Sequence, residues 1–268
     1  MSVKTAIEDT LDVPDHPFYC QALTALSASG VPFLVGGAYA FARYTGIARH
    51  TKDLDVFVRA EDCQRVLEVF AAAGYHTELT FPHWLGKAFR GDHFIDVIFS
   101  SGNGVAGVDD TWFEHGVEDR VLGIPVTLCP AEEMIWQKAF VMERERYDGA
   151  DVAHLLRARA ADLDWPRLVR RFGPHWRVLL SHLILFGFIY PAERAKIPTH
   201  VMQEFLARLQ EEMTGGPPED HVCRGTLLSR EQYLVDTDQW HYKDARLRPT
   251  GQMSRKVIDR WTAAIDKG

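Results

Sequence analysis

The sequence has little of what marks a secreted, zinc-bound or membrane protein. Its 268 residues include only four cysteines, Cys20, Cys63, Cys129 and Cys223, far apart and without a Cys-x-x-Cys. That spacing offers neither a disulfide framework nor a zinc knuckle, so a reducing cytoplasm is the expected compartment. His221 and Cys223 are the only close His/Cys pair, and a zinc site needs a full ligand set. The twelve histidines are scattered. The longest apolar run, VLLSHLILFGFIY at 178–190, is broken by Ser181 and His182 and falls short of the roughly 20 residues that span a bilayer. A buried helix is expected there, and no membrane partner. The first fifteen residues are polar and acidic, with no apolar signal region. Positive charge is also short. A formal net charge of −7 argues against a broad nucleic-acid-binding face, which needs clustered Lys and Arg. A local basic groove stays open, with Arg167, Arg170 and Arg171 the densest candidate, but a solvated helix face is the better reading of them. There is no internal repeat.

What remains is an ordinary globular composition, 46% hydrophobic and 25% charged, long enough for one large domain or two medium ones. Helix is expected at 16–29, a short strand at 31–35, helix at 38–45, strand at 54–58 and helix at 61–73. From Tyr75 the period shifts toward two, and WLGKAFR and HFIDVIF flank a Gly91-Asp92 turn suited to a hairpin. A Gly-rich loop follows at 100–110, then one more strand or hairpin pivoting at Gly123. Pro130 opens a helix expected to run to about residue 147. Further helices are expected at 151–160, 165–172, 176–189 and 199–213, with a Gly-Gly-Pro-Pro break at 215–218. A capping-box pattern stands at Ser229 and Gln232, and a last helix begins near Ser254. The pattern is α/β (α+β): a small mixed β-sheet core at 1–129, then a mainly helical C-terminal domain at 130–268.

One segment carries chemistry: LVGGAYAFARYTGIARHTKDLDVFV at 34–58. Asp-x-Asp alone says little, because Asp-Leu-Asp recurs at 162–164, where Asp164 reads as a helix cap, and Asp-Thr-Asp stands at 236–238. On a strand, however, Asp53 and Asp55 share one face, opposite Leu54 and Val56. Two same-side carboxylates repel unless a cation or solvent screens them, and at the mouth of a cleft they suit a hard divalent ion such as magnesium. Gly36-Gly37 lets the backbone approach a ligand and aims the free N–H groups of the next helix at an anion. Asp96 lies between Phe94 and Ile98 on another strand, where an ionised acid without a partner is costly. An edge-strand or capping acid would also account for it. Should its strand lie beside 54–58, three acids converge, as two-metal phosphoryl transfer requires.

Paired glycines, Asp53-x-Asp55 and a later strand acid resemble the signature of the DNA-polymerase-β-like nucleotidyltransferase superfamily. Within it the segment is similar to the abortive-infection type of bacterial nucleotidyltransferases, through Arg49, Thr51, Asp53, Leu54 and Asp55. The resemblance implies that Asp53 and Asp55 bind two magnesium ions (or manganese), with Asp96 binding one of them and serving as base. Gly36, Gly37, Arg49 and Thr51 would hold the triphosphate of an NTP co-substrate. The transfer of an NMP to a hydroxyl or phosphate, with release of pyrophosphate, is what the resemblance implies.

Helical periodicity puts Lys138 inside a stripe of Met134, Ile135, Ala139 and Met142. A lysine snorkelling from an apolar stem accounts for it as well as one reaching a phosphate. The resembled type carries a lysine on a comparable helix, and its later acidic segment is matched at Arg146, Asp148 and Asp151. Asp148 could equally cap the next helix. His83, Trp84 and Lys87 precede the third acid and could wall a nucleotide site. The acidic net charge favours a small-molecule acceptor. A toxin-like enzyme acting on tRNA or a protein, with an antitoxin partner, and an inactive nucleotide-binding regulator are the alternatives.

Overall fold

The computed structural model describes residues 16–49, 51, 53–216 and 220–264. The expected polar N-terminal stretch and the Pro217-Pro218 part of the break lie outside them. The chain divides into two compact units after Pro130.

The first unit is built on seven strands: β1 (Leu34–Val35), β2 (Asp53–Phe57), β3 (His76–Phe81), β4 (Leu85–Arg90), β5 (His93–Ile98), β6 (Val117–Val121) and β7 (Ile124–Leu128). Their order across the sheet is β3-β4-β5-β2-β1-β7-β6. β2 runs parallel to β5 and β1 parallel to β7, while the other pairings are antiparallel. The sheet is therefore mixed, as the alternation of strand and helix signals leads one to expect. Strand alternation sends Leu54, Val56, Ile95 and Val97 to one face, where all four are fully buried. Helix α1 (His16–Ser29), followed in sequence by α2 (Gly37–Thr45), packs against α3 (Cys63–Ala72), which covers β3, β4 and β5. Leu67 of α3 faces Gly86, the register partner of Val97, so this helix lies on the apolar face. A fourth helix, α4 (Asp110–Glu114), starts where Asp109 accepts a hydrogen bond from Thr111 N at 3.0 Å, inside the segment read as a Gly-rich loop.

Both hairpins form. The β4–β5 turn is Gly91-Asp92, with Arg90 opposite His93. The β6–β7 turn is Leu122-Gly123, both at positive φ, the geometry that matches strand twist.

The second unit is mainly helical: α5 (Ala131–Ala139), α6 (Gly149–Arg159), α7 (Trp165–Phe172), α8 (Trp176–Ile189), α9 (Thr199–Thr214), α10 (Leu234–Asp238) and α11 (Arg255–Ala263). The helix expected from Pro130 to residue 147 stops at Ala139. His182 Nε2 donates to Ala139 O at 2.9 Å, and Met142 bridges Tyr147. Glu143 accepts from Ser229 Oγ at 2.6 Å and from Arg230. These tertiary bonds outweigh helix propensities of a few tenths of a kcal/mol per residue. Ser229 also accepts from Gln232 N at 3.2 Å, so the capping pattern closes a turn, while the helix begins only at Leu234.

The apolar run lies in α8, which buries Leu179, Leu180, Leu183 and Phe186 but exposes Ile184, Leu185, Phe188 and Ile189. Only one face of that helix is buried. A turn at Gly173–His175 separates it from α7, leaving helices of 8 and 14 residues, each shorter than the roughly 20 a bilayer requires. The basic triplet is likewise no solvated face. Arg167 is 6% exposed and pairs with Glu132 at 2.7 Å and Glu133 at 2.6 Å, and Arg171 joins Glu133 at 3.0 Å. Arg170 alone is exposed.

Asp164 caps α7 by accepting from Arg167 N at 2.9 Å, whereas Asp162 meets only Arg159 at the surface, at 3.4 Å. Asp164→Ala should therefore cost about 1 kcal/mol in denaturant unfolding, and Asp162→Ala less than about 0.5. Burial lowers the His182 imidazole below its ordinary 6.5. The unfolded chain then takes up this proton first, so His182 supplies stability above pH 6.5 that is lost as pH falls toward the folded value. His182→Gln should flatten the fall in melting temperature over that range.

Candidate active site

The site begins with β2. Because Leu54 and Val56 are drawn into the core, Asp53 and Asp55 emerge together on the opposite face. The parallel register with β5 sets Asp55 directly beside Asp96. Ligating oxygens of Asp53, Asp55 and Asp96 all lie within 4.8 Å of one another, so one divalent ion could reach all three.

Each acid is held differently. Thr51 Oγ1 donates to Asp53 Oδ1 at 2.6 Å. Asp55 lies against the start of α2: its backbone oxygen accepts from Gly36 N at 3.0 Å, and a Cβ on Gly37 would sit 1.7 Å from its Oδ2. Gly37 also has φ +53°, where a side chain is strained. Asp96, with its side chain 15% exposed, pairs with Lys87 Nζ at 2.9 Å. Burial pushes the Asp96 carboxyl above the usual range and Asp53 adds to that, while Lys87 opposes both. The Tyr39 hydroxyl, in the first turn of α2, is buried without a hydrogen-bond partner. Burial raises its pKa, and charge on Tyr19, Cys20 and Asp53 raises it further, so the ring is within electrostatic reach of the first acid. An orphaned hydroxyl near clustered acids fits a place for a polar ligand or hydrated ion.

The other expected residues are engaged as follows. Arg49 lies over the Phe41 ring at 4.5 Å. Thr51 is turned to Asp53, an engagement the triphosphate expectation did not include. In the second unit Lys138 is clamped by Asp148 at 3.2 Å and Asp151 at 2.8 Å, and Arg146 grips Asp148 with two bonds of 2.9 Å. Lys138 thus neither snorkels freely nor shares a helical stripe with Met142, which lies beyond the helix end. Burial would raise the Asp148 carboxyl, but the hydrogen bond from Arg146 and the charge of Lys138 outweigh it and hold the group below the usual range. His83 Nε2 lies 3.0 Å from Gly102 O, and Trp84 stacks on Phe81. Lys87 and Tyr39 carry more of the site than their sequence context indicates. Lys87 was legible: counting outward from the Gly91-Asp92 turn, Lys87 meets Asp96. Nothing in the sequence marks Tyr39, whose meaning depends on burial.

A mixed sheet, a glycine pair opening a helix and three clustered strand acids define a protein of the nucleotidyltransferase superfamily. The chain belongs to the family described as "Uncharacterised nucleotidyltransferase", whose model matches residues 20–178. No curated protein matches. Among solved structures, the chain is similar to the antibiotic-resistance factor ANT(2'')-Ia in solution, at 15% identity over 75% of this chain and 97% of that one, with a TM-score of 0.38. It is similar to the lincosamide antibiotic adenylyltransferase LnuA with lincomycin bound, at 16% identity over 52% and 94%, TM-score 0.38. It is also similar to JHP933 from Helicobacter pylori, at 13% identity over 73% and 97%, TM-score 0.40.

Gly37→Ala tests the cradle. Positive φ alone costs about 1–2 kcal/mol, and the new methyl must displace the Asp55 carboxylate. The variant should melt lower than the native chain and bind Mn2+ more weakly by isothermal calorimetry.

Proposed function

We propose that the protein transfers an NMP from an NTP to a hydroxyl or phosphate of a small-molecule acceptor and releases pyrophosphate, with magnesium as the natural cofactor. The observation that carries this reading is the convergence of Asp53, Asp55 and Asp96 within 4.8 Å on one sheet face, beside the glycine pair. The donor set, carboxylate oxygens only, is the chemistry that hard divalent ions select. Asp53 and Asp55 would hold both ions and Asp96 one of them. When bound, the ions would stabilise charge on the attacking and leaving oxygens. The chain's own part is to orient the reactants. Free N–H groups in the first turn of α2, with Gly36 and Gly37 allowing the backbone a close approach, suit the triphosphate. Asp96 is the acid suited to accept the proton of the attacking hydroxyl. The net charge of −7 supports a small acceptor over nucleic acid.

A second reading has a specific observation in its favour. Lys138, Asp148 and Asp151, matched in sequence to the abortive-infection type, share one ion cluster. That supports placement within this type, and with it a toxin-like enzyme whose acceptor is tRNA or a protein.

The test is to incubate the protein with magnesium and each labelled NTP, adding either a metabolite pool or total tRNA. Label should appear on a small molecule, and Asp53→Asn/Asp55→Asn should abolish the transfer. Label on tRNA would overturn the small-molecule acceptor in favour of the second reading. Transfer surviving in the double variant would overturn the site.

A further inference from the structure

Lys87 stands at the end of a row. Across three neighbouring strands the register aligns Lys87 with Asp96 and Asp96 with Asp55, all on the face opposite the buried Leu54, Val56, Ile95 and Val97. The lysine has a choice of partner. Glu78 of β3 faces it on the outer side, yet the Glu78 carboxylate accepts from Thr80 Oγ1 at 2.8 Å. The ammonium turns inward instead, to Asp96 Oδ1 at 2.9 Å, with its charge over the Phe94 ring at 4.1 Å. Its side chain is 22% exposed, so the ion pair is only partly screened.

This geometry has a consequence for the acid. A carboxylate carries two oxygens, and an ammonium paired with one of them leaves the other as the better placed for a cation. Without that partner both oxygens are free to grip one ion, and a carboxylate that lends both oxygens to a dication is a weaker base for an attacking hydroxyl. The ammonium also sets a positive charge next to a site that attracts cations, which weakens their binding.

We propose that Lys87 is a positioning residue for the transfer, acting through Asp96: it restricts Asp96 to one-oxygen ligation and loosens the hold on the metal, at a gain in turnover. The inference rests on the reading of Asp53, Asp55 and Asp96 as metal ligands. It assigns to a neighbouring strand the control of how tightly that site binds.

The test compares the native chain with Lys87→Met, Lys87→Gln and Lys87→Arg in three measurements: Mn2+ affinity by isothermal calorimetry, melting temperature without metal, and kcat and KM for the NTP at saturating Mn2+. Removing the charge should tighten Mn2+ binding about ten-fold, lower the metal-free melting temperature, and reduce kcat about ten-fold or more with KM for NTP little changed. Lys87→Arg should restore kcat and affinity toward native values. A merely structural lysine would lower the melting temperature and leave affinity and kcat unmoved, and that result overturns the proposal. Weaker Mn2+ binding in the Met and Gln variants overturns it too. Should Lys87→Met fail to fold, Lys87→Gln keeps the polar, hydrogen-bonding end and carries the same measurements. The underlying site fails separately, when Asp55→Asn binds Mn2+ as the native chain does.

Discussion

The first unit depends on holding three carboxylates together against their mutual repulsion. Three carboxylates whose oxygens lie within 4.8 Å of one another repel. Two unit charges about 4 Å apart cost on the order of 1 kcal/mol in water and about 4 kcal/mol at the effective dielectric of a protein surface. Nothing in a sheet favours that arrangement for its own sake. The opposite face supplies what offsets it. Leu54, Val56, Ile95 and Val97 are fully buried there, each worth about 1.5–3 kcal/mol relative to exposure. Since the side-chain period of a strand is two, seating those four residues obliges Asp53, Asp55 and Asp96 to face the other way. Hydrophobic burial thus fixes the position of charges that electrostatics alone would scatter.

The remaining strain is relieved locally. Asp53 receives a neutral hydroxyl from Thr51, and Asp96 receives the full charge of Lys87. A charge goes where an acid inserted between apolar neighbours loses most hydration, and a hydroxyl suffices beside the loop. Asp55 lies where only a glycine leaves room. Its closeness to the start of α2 adds a favourable interaction with the positive end of the helix, worth a few tenths to about 1 kcal/mol.

Much of this could be read before the structure, and the reasons for the remainder are physical. Alternation around Leu54 and Val56, the glycine pair and the Gly91-Asp92 turn are local signals, and each set its element to within a residue or two. The adjacency of β2 and β5 is a long-range parallel pairing, which no local pattern encodes, so the meeting of Asp96 with Asp55 stayed conditional. The end of α5 at Ala139 was hidden for a similar reason: the bonds that replace the helix come from His182, Ser229 and Arg230, distant in sequence. Arg167 was misread as a solvated cation because Glu132 and Glu133, which draw it inward, lie on another helix. The resemblance assigns Thr51 to the phosphate, and the side-chain geometry adds its bond to Asp53.

The two units differ in how they balance acids. In the second, the clustered carboxylates have matching cations: Arg167 and Arg171 for Glu132 and Glu133, Lys138 and Arg146 for Asp148 and Asp151, Arg230 for Glu143, Arg246 for Asp244. In the first, three acids are held on one sheet face, Asp53 by the Thr51 hydroxyl, Asp55 against the start of α2 and Asp96 by Lys87. The tripeptide copies make the same point. Asp162 and Asp164 separate at the start of a helix, one to Arg159 and one to a cap. Asp53 and Asp55 cannot separate, because a strand holds both on one face. Three carboxylates held this close repel by several kcal/mol at the dielectric cited above, and a bound cation would relieve that cost. Convergence on one face, rather than the number of acids, is therefore what distinguishes residues 53–55 from their copies and makes this face the candidate site.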